Sequence, residues 1–313
     1  MLIGLYDVDS RIPNLALMKL AAWHRAKGHT VEMYKPLWLD SYDKIYASTV
    51  FNFSDKSGVM PERMEVGGTG WSIKSDLPDK VEGLVPDYSI YKYPHSIGFT
   101  MRGCRFRCKF CVVPEKEGRP YSTNTIDEIW TNRDSDFVML LDNDFFGNPD
   151  WRARVRELRD FHLKVNFSQG LNIRIITDEQ ARALASVRFS NAHQTKRQVY
   201  FAWDRFKDGA LVAAGIDRCV DAGIPPGQMG FYVLIGFDSS PEQDLFRVQW
   251  LKDKGCDPFA MPYDRTDPYQ QRFCRWVNRR AIFQSVSWDD YRTGGRPRIT
   301  LEQGQILLPG MEI

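Results

Sequence analysis

Six short apolar segments, separated mostly by helical patterns, constrain the fold of this chain more than any other feature. The segments are residues 97–101, 137–141, 165–168, 198–203, 229–235 and 258–262. Strands joined by helical crossovers pair in parallel, bury both faces and connect with a right-handed turn. The sequence therefore predicts an α/β fold with a parallel sheet that curves into a full or partial barrel.

A smaller α/β pattern precedes these segments. Its elements are, in order, a strand at residues 2–8, a helix at 15–23, strands at 30–34 and 42–48, and a glycine turn at 65–70. This order is typical of an abbreviated Rossmann-like domain. The N-terminus lacks the basic region of a signal peptide, and no run of about 18 apolar residues predicts a membrane span.

A connector interrupted by prolines at residues 71–96 separates the two patterns, and the chain after the last strand is rich in arginine. We therefore predict three parts: a Rossmann-like domain at residues 1–90, a barrel at 91–270 and a basic, aromatic extension at 271–313. Within the extension, Gly294 and Gly295 predict a flexible turn and residues 299–313 a tail.

A loop at residues 102–119 follows the first barrel strand and carries Cys104, Cys108 and Cys111 in a C-x3-C-x2-C spacing. Three thiolates on one loop can bind three irons of a cubane cluster and leave the fourth iron open. A zinc site and unliganded cysteines are the alternatives. Six cysteines with three in one loop indicate a reducing cytoplasm rather than a disulfide framework.

The cysteine spacing, together with Phe110 before the last cysteine, resembles the motif of the radical S-adenosylmethionine (SAM) enzymes. The resemblance covers residues 95–265 and implies a partial (β/α)6 radical SAM barrel. It implies a 4Fe–4S cluster on the three cysteines, with SAM bound at the open iron. In that family the reduced cluster cleaves SAM to methionine and a 5′-deoxyadenosyl radical, which abstracts hydrogen from the substrate. The resemblance thus implies an enzyme.

Residues that follow the strands are candidates for SAM binding, because the active sites of such barrels lie at the carboxyl ends of the strands. The turn Asp142-Asn143-Asp144 stands where the family has a Gly-Gly-Glu-like turn for the SAM ammonium, although it lacks the glycine pair. Arg174 is a candidate clamp for the SAM carboxylate. A loop cap and a surface salt bridge are the alternatives for these residues.

Further candidates lie at the other strand ends. Asp204 would hold a ribose hydroxyl or a substrate group, or only begin a turn. Ile235 and Gly236 are similar to a segment beside adenine in the family, with a buried apolar strand as the alternative. The full set of candidate cofactor-binding residues is Phe110, Asp142, Asn143, Asp144, Gln169, Arg174, Asp204, Ile235, Gly236, Met261 and Tyr263.

The net charge of +2 conceals two basic segments. Residues 102–119 hold six cations against two glutamates, and residues 272–298 hold seven arginines against two aspartates. These segments predict an acidic electron donor resembling flavodoxin or ferredoxin, or an anionic substrate such as RNA, with simple solvated charge as the alternative. Residues 273–283 interleave aromatics with arginines, a pattern that suits stacking on bases and contact with phosphates. Packing of those aromatics on the barrel is the alternative.

The leading hypothesis is a cytoplasmic radical SAM enzyme, with RNA as the first-ranked substrate because the domain order resembles the tRNA methylthiotransferases. Residues 1–96 lack the further cysteines of those enzymes. A cobalamin-dependent methyltransferase is one alternative: Gly67 and Gly68 match a cobalamin-binding glycine pair, but the D-x-H-x-x-G motif is missing, which favours a vestigial scaffold. A non-catalytic Fe–S or zinc protein that binds nucleic acid is the other. An auxiliary cluster on Cys219, Cys256 and Cys274 is disfavoured because they form no close pairs.

Overall fold

Parallel strands alternate with helices through residues 1–293, which are the residues that this computed structural model describes. The predicted turn at Gly294 and Gly295, the tail at 299–313, Arg296 and Arg298 lie outside the described residues. The strands are β1 (Leu2–Asp7), β2 (Thr30–Met33), β3 (Lys44–Ser48), β4 (Glu65–Gly67), β5 (Ser96–Gly98), β6 (Met101–Arg102), β7 (Tyr121–Ser122), β8 (Phe137–Leu140), β9 (Lys164–Phe167), β10 (Arg188–Phe189), β11 (Val199–Ala202), β12 (Met229–Ile235) and β13 (Asp257–Pro262). The helices are α1 (Leu15–Arg25), α2 (Asp79–Glu82), α3 (Val113–Lys116), α4 (Ile126–Ile129), α5 (Trp151–Asp160), α6 (Asp178–Ala185), α7 (Gly209–Asp221), α8 (Pro241–Asp253), α9 (Pro268–Val277), α10 (Arg280–Ser285) and α11 (Trp288–Thr293).

The chain divides into two compact units. The first unit holds Met1–Gln169 and Ser186–Arg197, and the second holds Gly170–Ala185 and the chain from Gln198 onward. The boundary predicted at residue 90 falls inside the first unit, so the predicted division into three parts stays a prediction. Within residues 1–293, no helix combines the length and the apolar composition that crossing a bilayer requires.

The N-terminal part of the first unit is a four-stranded parallel sheet in the order β2-β1-β3-β4. Helix α1 buries Leu17 and Met18, and Asn14 caps it by accepting hydrogen bonds from two amides of its first turn. Ile3 and Leu5 of β1 are fully buried in the same core. A continuous apolar run in β1 and a capped helix thus produce the predicted small α/β pattern.

A second sheet of the first unit has the order β10-β9-β8-β5, and all its strands are parallel. All four residues of β8 are buried, as a strand covered on both faces requires. The chain leaves β5 at Gly98, and β6 then pairs with β7 in an antiparallel hairpin. That hairpin encloses the cysteine loop at the carboxyl end of β5.

The second unit contains a three-stranded parallel sheet in the order β11-β12-β13. Phe201, Phe231 and Val233 lie fully buried on these strands. Leu171 extends the pairing by a parallel bridge to Phe201. The α/β class with parallel sheets is therefore confirmed.

The predicted barrel stays a prediction. The six predicted strands are present, and in the described residues they hydrogen bond in two parallel sheets, one in each unit. The unpredicted strand β10 pairs with β9 through Arg188↔Lys164 and Phe189↔Val165. It therefore forms one edge of the sheet of the first unit. A strand of two residues leaves no periodic signal in the sequence.

Candidate metal centre at the cysteine loop

The three loop cysteines lie between the paired strands β6 and β7. Cys104 and Cys108 are half-buried, and Cys111 is exposed. The amide of Cys104 donates to the carbonyl of Gly118 at 3.2 Å, and the amide of Cys111 donates to the carbonyl of Cys108 at 3.0 Å. The first bond joins the two ends of the loop, and the second makes a tight turn between the last two cysteines.

Gly103 allows the two ends of the loop to approach each other. Its φ is +80°, and a Cβ atom there would lie 2.3 Å from the carbonyl oxygen of Arg119. Only glycine combines this left-handed backbone with so close a contact. The residue before Cys104 is therefore fixed by the geometry of the loop base.

Glu117 ties the loop base to the turn after β8. Its carboxylate accepts hydrogen bonds from the amide of Gly103 at 2.8 Å and from Nδ2 of Asn143 at 3.0 Å. It also pairs with Arg102 at 2.8 Å, and only 10% of its side chain is exposed. Charge-assisted bonds to a nearly buried carboxylate make this a strong anchor.

Asp144 anchors the loop just after Cys104. Its two oxygens accept from Nε and Nη2 of Arg105 at 2.6 and 2.7 Å, and Oδ2 also accepts the amide of Arg105 at 3.2 Å. The side chain of Asp144 is 3% exposed. This paired geometry fixes the guanidinium and the backbone together.

Asp142 holds the segment that leads into the loop. Its carboxylate accepts the amides of Thr100 and Met101 at 2.7 and 3.2 Å, and the hydroxyl of Thr100 donates to it as well. Asn148 donates to the carbonyl of Thr100 at 3.0 Å. Burial raises the pKa of Asp142 to about 6, and its hydrogen bonds oppose that rise.

The turn predicted to bind the SAM ammonium thus bonds to the cysteine loop and the segment before it. Asp142 holds Thr100, Asn143 holds Glu117, and Asp144 holds Arg105. The sequence analysis missed Glu117 and Asn148 as members of this site. No local pattern marks either residue, because their partners are brought near by the pairing of β5 with β8.

The remaining candidates of the first unit contribute less to this arrangement. Gln169 is exposed after β9, and its side-chain amide lies 3.4 Å from the hydroxyl of Ser168. Phe110 is half-buried within the loop. The parallel pairing of β5, β8 and β9 places the segments that follow them at one edge of the sheet.

In the second unit, Arg174 and Asp204 belong to a charged cluster. Arg174 donates to Asp208 at 2.8 Å, and Arg205 contacts the same carboxylate at 3.0 Å. Burial raises the pKa of Asp204 to about 6, while Arg174 and Arg247 oppose the rise. Arg174, predicted as a clamp for the SAM carboxylate, thus has a carboxylate partner in its own unit.

The other second-unit candidates lie at the carboxyl ends of β12 and β13. Ile235 is fully buried, and its carbonyl accepts the amide of Tyr263 at 3.1 Å. Gly236 has a φ of +75°, and a Cβ atom there would lie 2.2 Å from the side chain of Gln270. Met261 and Tyr263 are exposed. The close approach that Gly236 permits is therefore to the chain itself.

The glycine turn of the N-terminal sheet also packs on its own chain. A Cβ atom on Gly68 would lie 2.3 Å from the carbonyl oxygen of Thr49. Asp9, in the loop after β1, accepts the amides of Val50 and Phe51 at 2.7 and 2.9 Å. The loops at this edge of the sheet thus bond to one another, and the cobalamin hypothesis stays a prediction.

The donor chemistry of the cysteine loop suits iron, since three thiols lie on one anchored loop. Burial raises the pKa of Cys104 to about 11, and the charges of Asp144, Cys111 and Cys108 raise it further. Metal binding at this thiol would therefore release a proton. Within residues 1–293, no group of three or more His, Cys, Asp or Glu side chains is already arranged to hold a metal ion.

The other three cysteines are buried in the second unit. Burial raises the pKa values of Cys219, Cys256 and Cys274 to about 12, so each is held as a neutral thiol. Cys219 is fully enclosed on α7 and Cys274 lies on the buried face of α9. These surroundings are those of small core residues.

No family model, curated protein or solved structure matches this chain.

Proposed function

We propose that this protein is a radical SAM enzyme that holds a 4Fe–4S cluster on Cys104, Cys108 and Cys111 and modifies RNA. The observation that carries the proposal is the position of the loop: three cysteines in this spacing begin at the carboxyl end of β5 in a parallel sheet. Parallel pairing in both units supports the further proposal of a partial (β/α)6 barrel.

Held by Cys104, Cys108 and Cys111, a reduced cluster would supply an electron for the cleavage of SAM. Residues around the cysteine loop hold it in position. Glu117 and Asp144 fix the two ends of the cysteine segment, and Asp142 fixes the strand end that precedes it. The thiols of the three cysteines give up protons when they bind iron.

The loop also presents positive charge outward. Arg107, Lys109 and Arg119 are exposed and form no ion pair with any residue in 1–293. An acidic electron donor would be attracted to such a surface. This supports the proposal that the electron arrives at this face from a flavodoxin-like or ferredoxin-like protein.

Anaerobic reconstitution tests the proposal. We expect about four irons per chain and formation of 5′-deoxyadenosine when dithionite and SAM are added. Cys104→Ala should abolish 5′-deoxyadenosine formation, because the loop then has too few ligands. Cys274→Ala is the matched control, since it removes a thiol from the core of the second unit and should leave the yield unchanged.

Two outcomes would contradict the proposal that this protein is a radical SAM enzyme. One is a yield of 5′-deoxyadenosine from the wild type no higher than from Cys104→Ala. The other is stable binding of zinc in place of iron after aerobic and anaerobic purification, which would favour the non-catalytic alternative.

A further inference from the structure

Helix α9 exposes a basic face that forms one wall of a pocket. Pro268, Arg272 and Arg275 are spaced four and three residues apart, so they follow one another along one face of the helix. Together with Tyr291 of α11, these residues line an open pocket of about 460 Å³. The pocket lies within the second unit and is separate from the cysteine loop in the chain.

Each of the two arginines donates one hydrogen bond to a backbone carbonyl. Nη2 of Arg272 donates to the carbonyl of Tyr291 at 3.1 Å, and Nε of Arg275 donates to the carbonyl of Gln271 at 3.3 Å. A guanidinium has five N–H donors in a planar fork. Each group is therefore oriented, and its other N–H groups make no hydrogen bond to residues 1–293.

The charge of the pocket is not neutralised by neighbouring acids. Residues 268–292 contain five arginines and two aspartates. Arg280 pairs with Asp257 and Arg292 pairs with Asp289. In the described chain no carboxylate pairs with Arg272 or Arg275. Two oriented guanidinium groups one helical turn apart are suited to the oxygens of a phosphate.

The aromatic residues of this region do not reach the pocket surface. The sequence pattern suggested that they stack on bases, but Phe273, Trp276 and Phe283 are at most 2% exposed. Their rings pack on one another, with centroids 5.5 and 4.9 Å apart along that series. The pocket therefore offers donors for phosphates and only the ring of Tyr291 for a base. Such contacts do not read sequence.

The surroundings of the pocket favour nucleic acid over a protein partner. Across residues 268–292, no large apolar side chain is exposed. The central part of a protein interface is apolar and depleted of charge. Phosphate contacts, in contrast, need only N–H donors and positive charge.

We propose that the pocket formed by Pro268, Arg272, Arg275 and Tyr291 binds the phosphate groups of single-stranded RNA. The inference rests on the RNA part of the proposed function and is independent of the iron–sulfur part. The chemistry recognised is the phosphodiester, which DNA shares, so DNA of the same sequence is a second arm of the test.

The test uses the full chain with Arg272→Gln and Arg275→Gln combined. The matched control combines Arg63→Gln and Arg133→Gln, which removes the same charge from exposed arginines paired with Asp40 and Asp127. Binding of a fluorescent single-stranded RNA is measured by anisotropy at several salt concentrations. Two lost contacts should reduce the slope of log Kd against log salt by about 1.4 and weaken binding roughly tenfold.

The loss should be equal for a uridine homopolymer, a mixed RNA and the matching DNA, because phosphates carry the contact. The proposal would be overturned if the slope did not change or if the control variant lost as much affinity. It would also be overturned if the protein bound adenosine monophosphate but no RNA. A double variant that lost affinity only for an acidic protein such as flavodoxin, and not for RNA, would also overturn the proposal. Iron content and 5′-deoxyadenosine are measured on the same preparations. Absence of both together with a reduced RNA slope would refute the iron–sulfur function and leave this inference standing.

Discussion

The paired cations of the two basic segments lie in different surroundings. In the cysteine loop, Arg102 and Arg105 pair with Glu117 and Asp144, whose side chains are 10% and 3% exposed. Lys116 donates to the carbonyls of Ile73 and Ser75 and pairs with Asp76. These charges hold the loop in place.

The ion pairs of the C-terminal segment are more exposed to solvent. Arg280 pairs with Asp257 while 68% of its own side chain is exposed. Arg272 and Arg275 bond only to backbone carbonyls in the described chain. Where cations pair with buried acids, the net charge of a segment therefore overstates the charge that is available to a ligand.

The largest effect that we expect concerns the base of the cysteine loop. Gly103→Ala should destabilise the protein by at least about 3 kcal/mol, because the new Cβ adds a clash with the carbonyl of Arg119 to the strain of a positive φ. Gly118→Ala is the control: its φ is +74° and its Cβ would meet nothing within 4 Å. That variant should cost about 1 kcal/mol. Equal losses in chemical denaturation would show that the ends of the loop are not closely packed.

The same substitution in both segments tests the comparison directly. Arg105→Gln leaves the nearly buried Asp144 without its charged partner and should cost about 2 kcal/mol, less than for a fully buried pair because Arg105 is one-third exposed. Arg272→Gln should change the free energy of unfolding by no more than about 0.5 kcal/mol. Denaturant unfolding of the two variants checks this. A loss of similar size at Arg272 would remove the distinction between the two segments.

The smallest effect is a dependence of stability on pH, to which Asp142 in the support of the loop contributes. Burial raises the pKa of Asp142 to about 6, above its unfolded value of about 3.9. The native state therefore keeps this proton after the unfolded state has lost it. The stabilisation that comes from the protonated Asp142 is full below about pH 4 and is lost as pH rises through about 6.

Asp142→Asn should reduce the decline in stability across that window by up to about 1 kcal/mol per pH unit. Asp204 titrates in the same window, so the decline should become smaller without vanishing. RNA binding should not follow this titration, since arginine stays charged throughout. Denaturation of the wild type and the variant at several pH values, with RNA affinity measured in parallel, separates the two behaviours. An unchanged decline in Asp142→Asn would contradict the assignment.

Local sequence patterns predicted the strands and the position of the cysteine loop well. The apolar runs of β12 and β8 are both visible without a structure. The roles of the acids after β8 were not visible, since Asp142 bonds to Thr100 across 42 residues. That contact depends on the register of two strands, which a single sequence does not state.

The same limit applies to Arg174 and to the edge strand β10. Arg174 was a reasonable candidate for a carboxylate ligand, but its partner Asp208 lies 34 residues further on. The edge strand β10 has two residues and no pattern of its own. Long-range partners therefore decided what short-range patterns left open.

The closure of the loop base by Gly103 and Glu117 bears on how the protein matures. Many small metal sites fold only when the metal binds, so folding and loading are one event. Here the contacts at both ends of the cysteine segment come from the chain itself. If the proposed cluster binds here, the base of the loop would already be built by contacts within the chain, and iron loading could follow folding as a separate step.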